Sequence, residues 1–162
     1  MALDPSNYGA RIEIRSLIDR YALAMDDGNV DEVLGLYAPD GEFERIQATV
    51  RGQDELRATY TRILGRYHPT RHSPAVHVIK SLEESMATGT QTGTAELVET
   101  GVGLKAAYRF EDVYTKTPAG WRFQRRSLRY MWVIESPELT EIFASNDRIR
   151  WPNQPPQAGH YE

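Results

Sequence analysis

One stretch near the start of the chain limits its possible folds more than any other. From Arg11 to Asp27, Ile14, Leu17, Ile18, Tyr21, Ala22 and Met25 recur at steps of three and four, which predicts an amphipathic helix with one apolar face. Glu13, Arg15, Asp19 and Arg20 fill the other face. Two residues do not fit that plan. Tyr21 puts a hydroxyl on the apolar face, where it needs a partner. Asp26 and Asp27 end the helix, where the macrodipole disfavours negative charge. Asp27-Gly28 is an ordinary turn, but that leaves Asp26 unexplained.

A helix with one apolar stripe must lie on something, and the rest of the chain supplies a sheet. Asn29 and Glu32 make a capping box for a second helix whose stripe is Val30, Val33, Leu34 and Tyr37, stopping before the turn Pro39-Asp40-Gly41. Glu42 to Val50 reads as a short hairpin ended by Gly52. Gln53 to Tyr67 reads as a third amphipathic helix on Leu56, Tyr60, Ile63, Leu64 and Tyr67. The pattern then changes to strands over His72–Lys80, Met86–Glu99, Lys105–Lys116 and Trp121–Ile134, the last pair joined by Thr117-Pro118-Ala119-Gly120. Glu138 to Ser145 is a candidate short helix, and the Pro-rich tail has no core of its own. Helices grouped before strands argue an α+β fold, a curved, mainly antiparallel sheet with helices on one face. We read one domain over residues 1–162, with its core at about 9–135 and a C-terminal tail from 136 to 162; Met1 to Gly9 is a lead-in.

Composition removes several functions. A net charge of −4 over 162 residues leaves no basic footprint for nucleic acid or an anionic membrane. The absence of cysteine excludes thiol nucleophiles, disulfides and Cys-based metal sites. No apolar run approaches spanning length, and the N-terminus lacks the plan of a signal peptide, so the expected location is cytoplasmic and the expected partner a small molecule.

The order IRSLIDRYALAMDDGNVDEVLGLYAPDGEFE at the front and WRFQRRSLRYMWV at the back resembles the SnoaL-like branch of the nuclear-transport-factor-two-like superfamily, from about Arg11 to Ile134. The resemblance implies a cone-shaped α+β barrel with an apolar pocket at its open end. Members that eliminate water or halide, among them scytalone dehydratase, bile-acid 7α-dehydratase and hexachlorocyclohexane dehydrochlorinase, carry an aspartate at the end of the first helix and a histidine at the start of the strand after the third. Asp26 and His72 stand there. The bile-acid type adds a tyrosine five residues before the aspartate and an arginine late in the last strand, matched by Tyr21 and Arg129. Ketosteroid isomerase shares the fold, but its general-base aspartate falls where this chain has Arg45, a guanidinium that cannot take a proton.

What the resemblance implies is a cofactor-independent lyase, a dehydratase or other β-eliminating enzyme acting on a cyclic, largely apolar molecule. His72 would be the base, Asp26 its orienting partner, and Tyr21 and Arg129 the groups that meet developing negative charge. Tyr60, Tyr108, Phe110, Trp121, Met131 and Trp132 are the candidate substrate-binding wall. No metal is expected: His72, His77 and Asp26 could be written as a facial triad, but a five-residue step along a strand puts the two histidines on opposite faces. Each residue also has a plainer reading. Asp26 could simply end a helix, His72 could be an exposed neighbour of Arg71, and Tyr21 could be core. Arg129 could be one more member of an arginine-rich strand with Arg122, Arg125 and Arg126. Two alternatives therefore stay open: a non-catalytic ligand carrier or oligomerisation module, and a polyketide cyclase or steroid isomerase on the same scaffold. Apolar residues on both parities of the last two strands further predict a homo-oligomer, a trimer or dimer.

Overall fold

The computed structural model describes residues 7–46 and 48–159; most of the lead-in before Gly9 and the last three residues of the tail lie outside them. Helix α1 (Tyr8–Asp26) buries Ile14, Leu17, Ile18, Tyr21 and Met25, the predicted stripe. Asn29 caps α2 (Val30–Gly35) by accepting the Glu32 N–H. That helix is shorter than the spacing predicts. Tyr37 already belongs to strand β1 (Tyr37–Arg45), and Pro39-Asp40-Gly41 is an irregularity inside the strand, between the pairs Tyr37–Phe123 and Glu42–Arg125. Proline offers no N–H to a ladder, so it sits where pairing is interrupted. β1 and β2 (Ala48–Arg51) form the expected hairpin. Helix α3 (Gly52–Arg66) buries Leu56, Tyr60 and Leu64.

Four long strands complete the sheet: β3 (Tyr67–Leu82), β4 (Met86–Glu99), β5 (Val102–Thr117) and β6 (Gly120–Glu135). The order is β2-β1-β6-β5-β4-β3, antiparallel except where β1 runs parallel to β6. The sheet curves around α1, and β4 shows why it can. Its inner face carries Ala87, Gly89, Gly93 and Ala95, whose small volume leaves room for aromatics from β5. At Gly93 a Cβ would fall 2.5 Å from the Tyr108 hydroxyl, so only glycine admits that ring. Helix α4 (Pro137–Phe143) closes over β5, with Thr140 Oγ1 accepting the Gly103 N–H at 2.8 Å.

Parity in two strands is reset by bulges, and those in β6 are announced by no glycine or proline. In β6, the pairs Tyr114–Phe123 and Val113–Arg125 skip Gln124, and Tyr108–Tyr130 and Ala107–Trp132 skip Met131. Phe123, Arg126, Leu128, Tyr130 and Val133 consequently face inward, while Arg129, Met131 and Trp132 do not. In β3, Pro74–Gly93 and His77–Gln91 place three steps against two. The bulge returns His77 to the inner face with His72, contrary to the parity argument made from sequence. No helix among the described residues is long and apolar enough to cross a membrane.

Candidate active site

Asp26 ends α1 beside β3, and that position answers the charge problem posed by the sequence. β3 is an edge strand, paired only with β4, so backbone N–H groups on its other side need partners from elsewhere. The Asp26 carboxylate accepts the His72 backbone N–H at 2.9 Å to each oxygen. It also lies 2.7 Å from His72 Nδ1. A carboxylate oxygen accepts, so Nδ1 carries a proton, and in the neutral imidazole Nε2 keeps the lone pair. Both side chains are mostly buried, 11% exposed for Asp26 and 16% for His72.

His72 forms part of the wall of a cavity of about 160 Å³ between α1, α3 and the inner face of the sheet. Tyr21 and Met25 come from α1 and Tyr60, Ile63 and Leu64 from α3. The sheet contributes Phe43 and Arg45 (β1), Leu128, Tyr130 and Val133 (β6), Tyr108 and Phe110 (β5), and Leu97 and Ala95 (β4). An apolar cavity of about 150 Å³ takes a benzene-sized molecule, so a single ring fits, with more projecting from the open end. Tyr21 is held by a chain of hydroxyls: it bonds Tyr60 at 3.1 Å, and Tyr60 bonds Tyr37 at 2.6 Å. Burial pushes the Tyr21 hydroxyl up to about 12, against the opposing pull of Arg126. It therefore stays protonated and acts as a donor.

Of the expected wall, Tyr60, Tyr108 and Phe110 border the cavity. The other three do not. Trp121 is buried near the opposite end of β6, its backbone N–H donating to the Glu13 carboxylate of α1 at 3.4 Å. Met131 sits in a bulge with 64% exposure, and Trp132 is 46% exposed on the outer face. Arg129 also misses the cavity. Lying between the inward-facing Leu128 and Tyr130, it points out and pairs with Glu44 at 2.8 Å. Strand alternation as modified by the two bulges explains all four positions.

The arginine that sequence reasoning passed over is Arg126, with no exposed side-chain surface. It pairs with Asp112 at 3.0 Å and donates to Gln91 Oε1 at 2.9 Å. Its guanidinium lies 3.8 Å from the Phe110 ring centre and 4.2 Å from those of Tyr21 and Phe123. Its Nη1 has no hydrogen-bond acceptor, and the π faces take that place. Burial opposes the Arg126 charge, but Asp112 together with Tyr21, Tyr37 and Tyr114 outweighs it and raises the pKa. The Tyr114 hydroxyl donates to Asp112 at 3.1 Å, and His77 Nε2 lies 3.2 Å from that hydroxyl. Burial, with Arg15 and Arg126, lowers the His77 pKa to about 4. His77 thus serves this second cluster, well away from Asp26. Among the described residues no three His, Asp or Glu side chains are grouped to hold a metal ion.

A strongly curved sheet wrapped on N-terminal helices, with a cavity at one end, defines the cone class of small α+β proteins. The sequence matches the SnoaL-like domain family over residues 8–127, and the chain belongs to that family, within the nuclear-transport-factor-two-like superfamily. Similar solved structures include a scytalone dehydratase candidate from Novosphingobium aromaticivorans DSM 12444. It is 20% identical with a TM-score of 0.74, over 81% of this chain and 90% of that one. The LinA-type3 hexachlorocyclohexane dehydrochlorinase of Novosphingobium barchaimii LL02 is 15% identical with a TM-score of 0.74, over 83% and 95%. A Mycobacterium tuberculosis protein of unknown function is 22% identical with a TM-score of 0.71, over 80% and 78%. At these identities the likeness is one of fold. No curated protein matches the sequence.

Proposed function

We propose that this protein is a cofactor-independent lyase that eliminates water or hydrogen halide from a cyclic, largely apolar small molecule. The observation that carries the reading is the 2.7 Å contact from His72 Nδ1 to Asp26 on the wall of an apolar cavity. It leaves Nε2 as the basic nitrogen available to a ligand. Nε2 takes a proton from a ring carbon, the C–H electrons form the double bond, and the group on the neighbouring carbon departs with its bonding pair. Asp26 stabilises the imidazolium. In a dehydration that imidazolium returns its proton to the departing hydroxide, and water leaves.

Tyr21 meets the departing group. Three hydroxyls joined by two hydrogen bonds keep one proton for a further partner. Tyr37 is buried away from the cavity and has Tyr60 as its hydroxyl partner. Donation from Tyr37 to Tyr60 to Tyr21 is one direction both distances allow, and it turns the free proton toward the ligand. Arg129 has no part in this scheme.

Turnover is the test. A screen of cyclic alcohols, hydroxysteroids, polyketide-like phenols and chlorinated cyclohexanes, followed by formation of the new double bond, should find a substrate. His72→Ala should lower its turnover by about a hundred- to ten-thousandfold. If His72→Ala matched wild type, the base would lie elsewhere, with Asp26 acting directly the first suspect, and the reading would move toward an isomerase-like enzyme. Turnover of no compound in the screen would leave a ligand carrier. Met131, Trp132 and Ile134 form an exposed apolar strip on the outer face, larger than solitary surface residues explain. It supports the proposal that the protein is a homo-oligomer, which light scattering at micromolar concentration would refute by finding a monomer.

A further inference from the structure

Arg45 lines the same cavity, is half-buried, and has no carboxylate within ion-pair distance among the described residues. The acid next to it in sequence, Glu44, is engaged outside the cone by Arg125 and Arg129. The other acid at the cavity, Glu99, is already paired with Arg66. The polar group that Arg45 acts on is the hydroxyl of Tyr130, which also lines the cavity. That leaves most of the five guanidinium donors for a ligand. Burying a cation against apolar walls with so little compensation is unfavourable unless an anion arrives to meet it.

The sheet order says where such an anion would lie. Arg45 is on β1 and His72 on β3, near opposite edges of the sheet, and curvature brings both to one cavity. Between them the floor is apolar, made by Phe110, Leu128, Ala95 and Leu97. A ligand satisfying both ends is a ring with a planar anionic group on one side and an activated C–H on the other. We propose that Arg45 is the specificity residue for a carboxylate, so that the substrate class is a cyclic carboxylic acid. A carboxylate matches the guanidinium fork with two parallel hydrogen bonds, and Tyr130 can donate a third. The inference rests on the proposed function for which cavity is the substrate site, but not on the chemistry performed there.

Binding tests it without turnover. Calorimetric titration of wild type with trans-cinnamate and with its neutral isostere cinnamamide should show the acid bound about ten- to a hundredfold more tightly. Arg45→Met should erase the preference while still binding cinnamamide, which also reports an intact cavity. Arg45→Lys should keep part of it, because the charge stays and the fork is lost. Arg57→Met, at an exposed pair with Asp31 outside the cavity, should leave it whole. Equal binding of acid and amide by wild type overturns the proposal. So does a preference that survives Arg45→Met, or no binding of either compound. Loss of preference in Arg45→Met beside unimpaired turnover in His72→Ala would sink the His72 base and leave the carboxylate site standing.

Discussion

The cone holds two polar clusters built from nearly the same parts, and they have opposite characters. Each has a histidine on the inner face of β3, a carboxylate that organises the cluster, and a tyrosine hydroxyl. At the closed end, His77, Asp112, Tyr114, Gln91 and Arg126 are bonded to one another, and the arginine nitrogen without an acceptor meets ring faces. At the open end, His72 is tied on one side only and its second nitrogen is unused within the protein. The difference lies in what fills the space between helix and sheet: at the closed end a guanidinium stacked among three rings, at the open end a void. Titratable groups support the fold where they are saturated, and chemistry becomes available where one valence is left over.

Substitutions can break or sharpen this contrast. After His72→Ala, the largest effect should come from Asp26→Asn. The amide oxygen can still accept the His72 backbone N–H, but its NH2 would then face Nδ1 and force the proton onto Nε2. Turnover should fall by about two to four powers of ten, as for a wrong-tautomer change in a catalytic triad. The double variant with His72→Ala should be hardly worse than His72→Ala alone.

At the closed end, Arg126→Met should leave Asp112 buried and unpaired, costing about 3–5 kcal/mol in urea denaturation. Adding Asp112→Leu should recover most of that loss, which an additive result would contradict. Next in size is a pH effect. The folded pKa of His77 is lowered to about 4, so between that value and about 6.5 the unfolded chain binds more protons. Stability from this group is present above about 6.5 and falls as pH drops toward 4. His77→Phe should flatten that part of the stability profile, whereas an unchanged slope would show that His77 is not its source. The smallest effect should be Arg129→Ala, with less than about 1 kcal/mol lost and turnover nearly unchanged, because its pair with Glu44 is exposed. A large fall in turnover would put Arg129 back among the functional residues.

Much of this was legible in the residues. The stripe of α1, the Asn29 cap and the runs from Met86 onward follow from periodicity and turn chemistry, and the elements fall within a few residues of expectation. The proximity of Asp26 and His72 followed from a resemblance: nothing in local patterning says that residues 46 apart meet. The wall was harder to read. Trp121, Met131 and Trp132 are singled out by their apolar bulk and Arg129 by resemblance, and the bulges at Gln124 and Met131 reset the alternation with ordinary residues. Arg126 was hidden for the same reason, since parity alone cannot single out one of four arginines in the strand.

Asp26 has a consequence beyond the proton it helps to move. Its carboxylate covers a backbone N–H on the free border of the sheet, so the group that would orient the base also shields a site where a foreign strand could dock. A mutational scan scored separately for activity and for aggregation should find the two losses together at this residue. Few substitutions would be admissible there: even glutamate, with the right charge, adds a methylene between the helix end and a target 2.9 Å away. The tolerance of the chain to change should therefore be narrowest at a position that looks, by composition alone, like the end of a surface helix.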